Sequence, residues 1–334
     1  MLPIHCGARR AHHPQVPQLA AGERYRVMGP TSNSRYRYQP KQVNAIVVRA
    51  FAFDFPDDLS PRWNPAHRGR SHLFNGFSLV MPYVEPFMIK TMQDALAHIE
   101  IRELAADIRA FNAQEARHYQ CHRRFNELVK NNGYPELAVV EARLAAAYGK
   151  LAKQSLRTRL AFTLGFETVT NGFTAWLIGQ RRQLFGDACP YVASFWLMHM
   201  VEETEHKTVA YDAYMACAGD YLPRAFGILH SALHLLGFGL LALFTALRKD
   251  GDLFSVRRLA EVATEVGSLL RHLAPPLLRA LRPSYNPRSE QDPQWMKDWV
   301  AGHAALPAGA MLPLIDTHSA ALPPPFGRAP PPSV

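Results

Sequence analysis

Two stretches of the chain set a glutamate and a histidine three residues apart: Glu115-Ala116-Arg117-His118 and Glu203-Thr204-Glu205-His206. Positions three apart share one face of an α-helix, so each pair can offer a carboxylate and an imidazole to one cation. Two more glutamates stand in apolar surroundings. Glu85 is flanked by Val84, Phe87 and Met88, and Glu167 by Leu164, Phe166 and Phe173. One glutamate from each of two helices, with a Glu-x-x-His pair from each of two others, is the ligand set of di-metal carboxylate bundles. Four ionised carboxylates facing one core would repel, at a cost of several kcal/mol each if buried unpaired. Two divalent cations would balance their charge. The alternative is a set of solvated charges on helix faces. With 15 glutamates and 15 histidines in 334 residues, chance supplies roughly 0.7 such pairs, so two pairs in alternation with apolar-embedded glutamates favour the metal reading.

Two further histidines extend the pattern. His122 follows His118 by one turn, and His199 precedes Glu203 by one turn. In antiparallel helices they meet at one end of the bundle, as candidates for catalytic proton transfer, for orienting the ligands or for an added ligand. Glu202 competes with Glu203, being three residues from His199 and four from His206; Glu203 is preferred because it repeats the spacing of Glu115 and His118.

Helices must position these groups. Apolar residues recur at helical spacing along most of the chain, with a β-type alternation only from Ala45 to Phe55. The pattern predicts helices over about 78–100, 101–131, 155–185 and 189–218, with a short amphipathic piece at 135–150. Two helix pairs joined by one long crossover is the connectivity of a ferritin-like four-helix bundle, an all-α fold, here with two C-terminal helices at about 223–248 and 255–282. The expected organisation is a disordered basic arm (1–45), the di-metal bundle (46–220), the C-terminal helices (221–300) and a disordered Pro/Ala-rich tail (301–334).

The net charge of +9 is concentrated in the arm, where seven Lys or Arg residues face one acid. The remainder carries +3, too even a balance for a nucleic-acid-binding face. Four cysteines with no C-x-x-C pair suggest neither a zinc ribbon nor a dithiol redox motif, and no secretory signal is evident. A cytoplasmic setting is therefore expected. No nucleophile elbow, P-loop, H-E-x-x-H or dinucleotide-binding glycine motif offers another mechanism.

Pro82 to Phe87, Phe111 to Asn126 (FNAQEARHYQCHRRFN) and Phe195 to Tyr211 (FWLMHMVEETEHKTVAY), with Arg62-Trp63 upstream, resemble the bacterial family of predicted metal-dependent hydrolases. The resemblance spans roughly residues 47–286. It departs at Val84-Glu85-Pro86, where the family tends to Gly-Glu-Arg, and at Tyr285-Asn286-Pro287, where Phe-His-Pro would be expected. Pro86 is accommodated if it stands in the first turn of its helix. The resemblance implies hydrolysis.

The donors themselves, carboxylates and imidazoles without thiolate, suit two divalent ions, iron first, with manganese or zinc as alternatives. That chemistry equally serves O₂ activation. Non-catalytic metal binding is the third reading. Phe226 to Leu247 holds no Asp, Glu, Lys or Arg and is long enough to span a bilayer. It is expected to cover the bundle or form a homodimer contact, or to meet a membrane surface. A small, apolar molecule is the expected substrate.

Overall fold

In the computed structural model, residues 36–39, 45–49, 53–307 and 310–326 are described. Among them every regular element is helical, as an all-α fold requires. The chain runs through α1 (Arg68–Leu96), α2 (Arg102–Asn131), α3 (Leu137–Leu151), α4 (Leu156–Gly179), α5 (Arg181–Phe185), α6 (Pro190–His206), α7 (Val209–Cys217), α8 (Tyr221–Lys249), α9 (Val256–Ala280) and α10 (Gln294–Ala304). The β-type alternation of residues 45–55 forms no strand among the described residues.

The helices carrying the metal-type motifs lie where expected, but their limits differ. α1 begins ten residues before Ser78, so Pro82 and Pro86 are both interior and Pro86 is not a first-turn proline. The missed turns escaped notice because they bury polar residues, each held by a partner. Arg70 pairs with Glu265, His72 meets Asp250 at 2.9 Å, and Asn75 accepts from the Trp63 indole at 2.9 Å. The third predicted helix divides at Gly179-Gln180, and the fourth at Lys207-Thr208. Glycine and β-branched residues are poor helix formers. At the second break Lys207 is drawn outward by the Glu290 carbonyl, 2.8 Å away, and by Asp292.

α6 is buried without interruption from Val192 to His206. A helix buried on all sides has no solvated face, so every polar side chain on it needs an internal partner.

α8 is the hydrophobic helix, and it packs on α4 and α1 through backbone-to-backbone contacts. A Cβ on Gly165 would stand 2.3 Å from the Gly227 carbonyl oxygen, and one on Gly76 would stand 2.5 Å from that of Gly239. Its outer face leaves Leu222, Phe226, Leu229 and Leu233 exposed. Among the described residues it is the one helix long and apolar enough to cross a membrane.

The tail differs from expectation. Residues 301–304 complete α10, and beyond it Ile315 and Leu322 are buried in the main core. Thr317 Oγ1 donates to the Ala188 carbonyl at 2.8 Å. Proline content misled here because buried Ile315 and Leu322, with hydrogen bonds from Arg181 and Trp295 to the Leu322 carbonyl, pin an extended segment. Most of the basic arm lies outside the described residues, as do 327–334. Within the arm, the Tyr36 and Tyr38 hydroxyls donate to Asp212 (2.5 Å) and Asp107 (2.8 Å), so this piece is docked.

Gly165→Ala should therefore destabilise the protein by about 1–3 kcal/mol through overpacking of the α4–α8 contact. Gly237→Ala, at an exposed α8 position whose added Cβ meets nothing, should stabilise by about 0.5–1 kcal/mol. Urea denaturation of both variants checks the contrast.

Candidate metal centre

α1, α2, α4 and α6 each turn charged or imidazole side chains into one buried volume. Glu85, Glu115, His118, Glu167, Glu203 and His206 are all at most 4 % exposed. Their donor atoms fall into two groups, each with all atoms within 4.8 Å of one another. Glu85, His118 and His199 form one; Glu115, Glu167, Glu203 and His206 form the other. The structure thus brings together all six residues expected as ligands, and adds His199.

The second group is centred on His206 Nε2, which lies 3.1 Å from Glu115, 3.3 Å from Glu203 and 3.5 Å from Glu167. In the first group His118 Nδ1 faces Glu203 at 3.6 Å and Glu115 at 4.0 Å, while His199 Nε2 lies 3.8 Å from Glu85 and 2.8 Å from Glu203. Glu115 and Glu203 therefore stand between the two groups. Both oxygens of Glu85, Glu115 and Glu167 are buried without a hydrogen-bond partner. Buried carboxylates in that state are costly unless a cation meets them, and this carboxylate–imidazole donor set fits divalent metal ions.

Proton affinities record the same stress. Burial pushes Glu85 and Glu167 well above the usual carboxylate range, and the neighbouring Glu115 and Glu203 respectively add to it. Burial also works against Glu203, but His206 and His118 outweigh it and hold this carboxyl well below its ordinary value. Burial lowers His118, yet its bonds to Glu202 and Glu203 win and raise it to about 10. His206 is likewise raised despite burial, chiefly by Glu203 and Glu167. Burial lowers His199 and His122, and the charge on His118 adds to it in both.

A second layer of polar residues fixes the imidazoles. His118 Nε2 donates to Glu202 Oε2 at 2.8 Å, so Glu202 stands behind the histidine and belongs to neither donor group. His206 Nδ1 donates to Gln114 Oε1 at 2.9 Å, and Gln114 Nε2 donates to Glu205 and to the Val47 carbonyl. Both branches end on Arg49, whose guanidinium donates to Glu205 at 2.5 and 2.8 Å and to Glu202 at 3.2 Å. Trp299 covers this guanidinium, with its ring centre 5.3 Å away. Each histidine thus presents its other nitrogen to the carboxylates, the arrangement that orients imidazole ligands in metal sites.

His122 is not part of either group. It lies behind His199, with its Nε2 2.9 Å from His199 Nδ1, and its other nitrogen meets Ser78 Oγ at 2.7 Å. Arg49, Gln114 and Glu205 were missed by sequence reasoning. Arg49 lies outside the helices, in the stretch with β-type alternation. A helical wheel would have exposed Glu205: with about 100° per residue, His199, Glu203 and His206 share a face, and Glu202 and Glu205 project from the adjacent one.

These features define an all-α protein with a buried carboxylate–histidine pocket suited to divalent metal. Residues 47–291, well over half of the chain, match the model of the predicted metal-dependent hydrolase family, and the chain belongs to that family. No curated protein and no solved structure shows significant similarity to it.

Two outcomes follow from this geometry. Arg49→Leu leaves Glu202 and Glu205 buried without their cation and should cost about 3–5 kcal/mol, measured by chemical denaturation. Metal must displace the proton that His118 holds up to about pH 10 and those raised onto Glu85 and Glu167. Zinc affinity should therefore rise with pH from 6 to 9, by about tenfold per unit for each proton displaced, in titrations against a competing chelator.

Proposed function

We propose that the protein is a di-metal enzyme that uses two iron ions, held by Glu85, Glu115, His118, Glu167, Glu203 and His206, to activate O₂ for oxidation of a small apolar molecule. The observation that carries the metal assignment is the set of three buried carboxylates without hydrogen-bond partners, grouped around imidazoles whose second nitrogens are already engaged. Oxygen and nitrogen donors without sulfur suit iron or manganese over a structural zinc. Four carboxylates balance two divalent ions, so loading brings the donor set close to neutrality.

Burial favours oxidation over hydrolysis. The donor residues have almost no contact with solvent, and the Phe111 ring closes on His206 with centres 4.7 Å apart. Dioxygen and apolar molecules enter such surroundings more readily than a charged ester and its attacking water. The cavity of about 860 Å³ beside Arg49 is lined mainly by apolar residues such as Val47, Phe53, Val300 and Leu312, which suits an apolar substrate. Two reduced metal ions held there would supply electrons to O₂, with a cellular reductant restoring them; Glu202 and Gln114 orient the imidazoles of His118 and His206, and the burial of the donors keeps bulk water out.

The second reading is hydrolysis, which the family description favours. There two metals would lower the pKa of a water and clamp the oxygen of the substrate. The docked Tyr36 and Tyr38, a ferritin-like bundle and a covering α8 belong to either reading. A cytoplasmic enzyme with α8 against a second copy or a membrane surface also fits both.

Metal analysis of protein purified from iron-supplemented cells should return close to two iron per chain. An iron-dependent near-ultraviolet absorption should bleach on reduction with dithionite and return in air. Glu115→Ala and His206→Ala should each lose most of the metal; unchanged content in both would remove the site. Tightly held zinc, with ester hydrolysis and no response to air, would transfer the assignment to the hydrolytic reading.

A further inference from the structure

Pro82 lies inside α1 and has no N–H, so the carbonyl of Ser78, four residues earlier, loses its helical partner. Asn126 of α2 takes its place, with Nδ2 donating to that carbonyl at 2.9 Å. A carbonyl oxygen only accepts, so the orientation of the Asn126 amide is fixed and its Oδ1 must face Ser78 Oγ, 2.7 Å away. Ser78 O–H therefore donates to Asn126. The one hydroxyl proton being used, Ser78 Oγ must accept from His122 Nδ1–H at 2.7 Å.

The direction then propagates. A neutral His122 protonated on Nδ1 has a lone pair on Nε2, which accepts from His199 Nδ1–H at 2.9 Å. A neutral His199 protonated on Nδ1 turns its Nε2 lone pair toward the pocket. There it meets Glu203 Oε1 at 2.8 Å and Glu85 Oε1 at 3.8 Å, within the donor group that includes His118. A lone pair and a carboxylate oxygen at that distance repel unless a cation lies against both.

We propose that His199 is a seventh metal ligand, completing the Glu85–His118 half of the pocket, and that His122 is the positioning residue that sets its tautomer through a one-way chain from Ser78 and Asn126. The inference rests on the di-metal reading and deepens it. The two halves become unequal: one holds two imidazoles and Glu85, the other one imidazole and Glu167, with Glu115 and Glu203 between them. Glutamate and histidine three apart disclose four ligands, apolar surroundings disclose Glu85 and Glu167, and the seventh comes from the i, i+4 relation of His199 to Glu203.

The test uses full-length protein labelled with ¹⁵N-histidine, metal-free and with zinc alone. Long-range ¹H–¹⁵N spectra should place the His122 proton on Nδ1 in both states; a proton on Nε2 overturns the chain. Wild-type protein should bind two zinc ions. His199→Ala should bind one, with its helical circular dichroism unchanged. His122→Phe should weaken one of the two ions about 10–100-fold, and His122→Gln, which can accept from His199 and donate to Ser78, should restore it. Two ions at wild-type affinity in His199→Ala and in His199→Gln overturn the ligand role alone. Failure of the wild type to bind any zinc overturns the di-metal reading together with it.

Discussion

Negative charge out of reach of water is the constraint on which the rest of this structure depends. Glu85, Glu115, Glu167, Glu202, Glu203 and Glu205 are each at most 4 % exposed and lie in or against one pocket. Among the described residues one buried arginine, Arg49, serves this assembly, and its ion pairs go to Glu202 and Glu205. Glu203 is the carboxylate whose charge the histidines protect; Glu85 and Glu167 are driven toward their protonated forms by burial and by their acidic neighbours. Uncompensated buried charges cost several kcal/mol each, a large share of the 5–15 kcal/mol by which domains of ordinary size are stable. The fold tolerates the cluster only as a place for cations, whether protons or metal ions.

Rigid surroundings serve that place. α6 is buried on all sides, so Glu202 and Glu205, which do not face the donors, still have to be answered from inside. Arg49 does this from a segment with no regular structure, pinned by Val47 and capped by Trp299 of α10. The C-terminal segment thereby becomes part of the support for the centre. On the opposite flank α8 lies so close to α4 that glycines replace side chains at the contact. That closeness fixes α4, and with it Glu167, which makes no hydrogen bond of its own to hold it in place.

What could be read from the sequence divides along a physical line. Glu115, His118, Glu203 and His206 were legible because three-residue spacing on a helix dictates shared direction wherever the helix goes. Glu85 and Glu167 were legible from apolar neighbours, since a lone acid in such a run has to be answered by something. The start of α1 was not legible: Arg70, His72 and Asn75 look like surface residues until their partners are in place, Glu265 and Asp250 from far along the chain and Trp63 from the segment just before the helix. Arg49 escaped for the same reason, being 153 and 156 residues from its carboxylates. The tail was misjudged because composition counts prolines, whereas docking depends on a few well-placed contacts such as Ile315 and Leu322.

The prolines of α1 show how a local defect becomes a specification. An interior proline ordinarily costs a helix about 3 kcal/mol or more, in part through the carbonyl it strands. Here the stranded Ser78 carbonyl is met by Asn126, and the repair carries direction: it determines which atom of the amide faces Ser78, and hence how the hydroxyl and two imidazoles beyond it are protonated. Imidazole has two equivalent-looking nitrogens, and nothing in helical spacing chooses between them. The same choice is made for His118 by Glu202 and for His206 by Gln114. In all three histidines a partner outside the donor groups selects the nitrogen, so the chemistry of the centre is set as much by what lies behind the imidazoles as by the carboxylates in front of them.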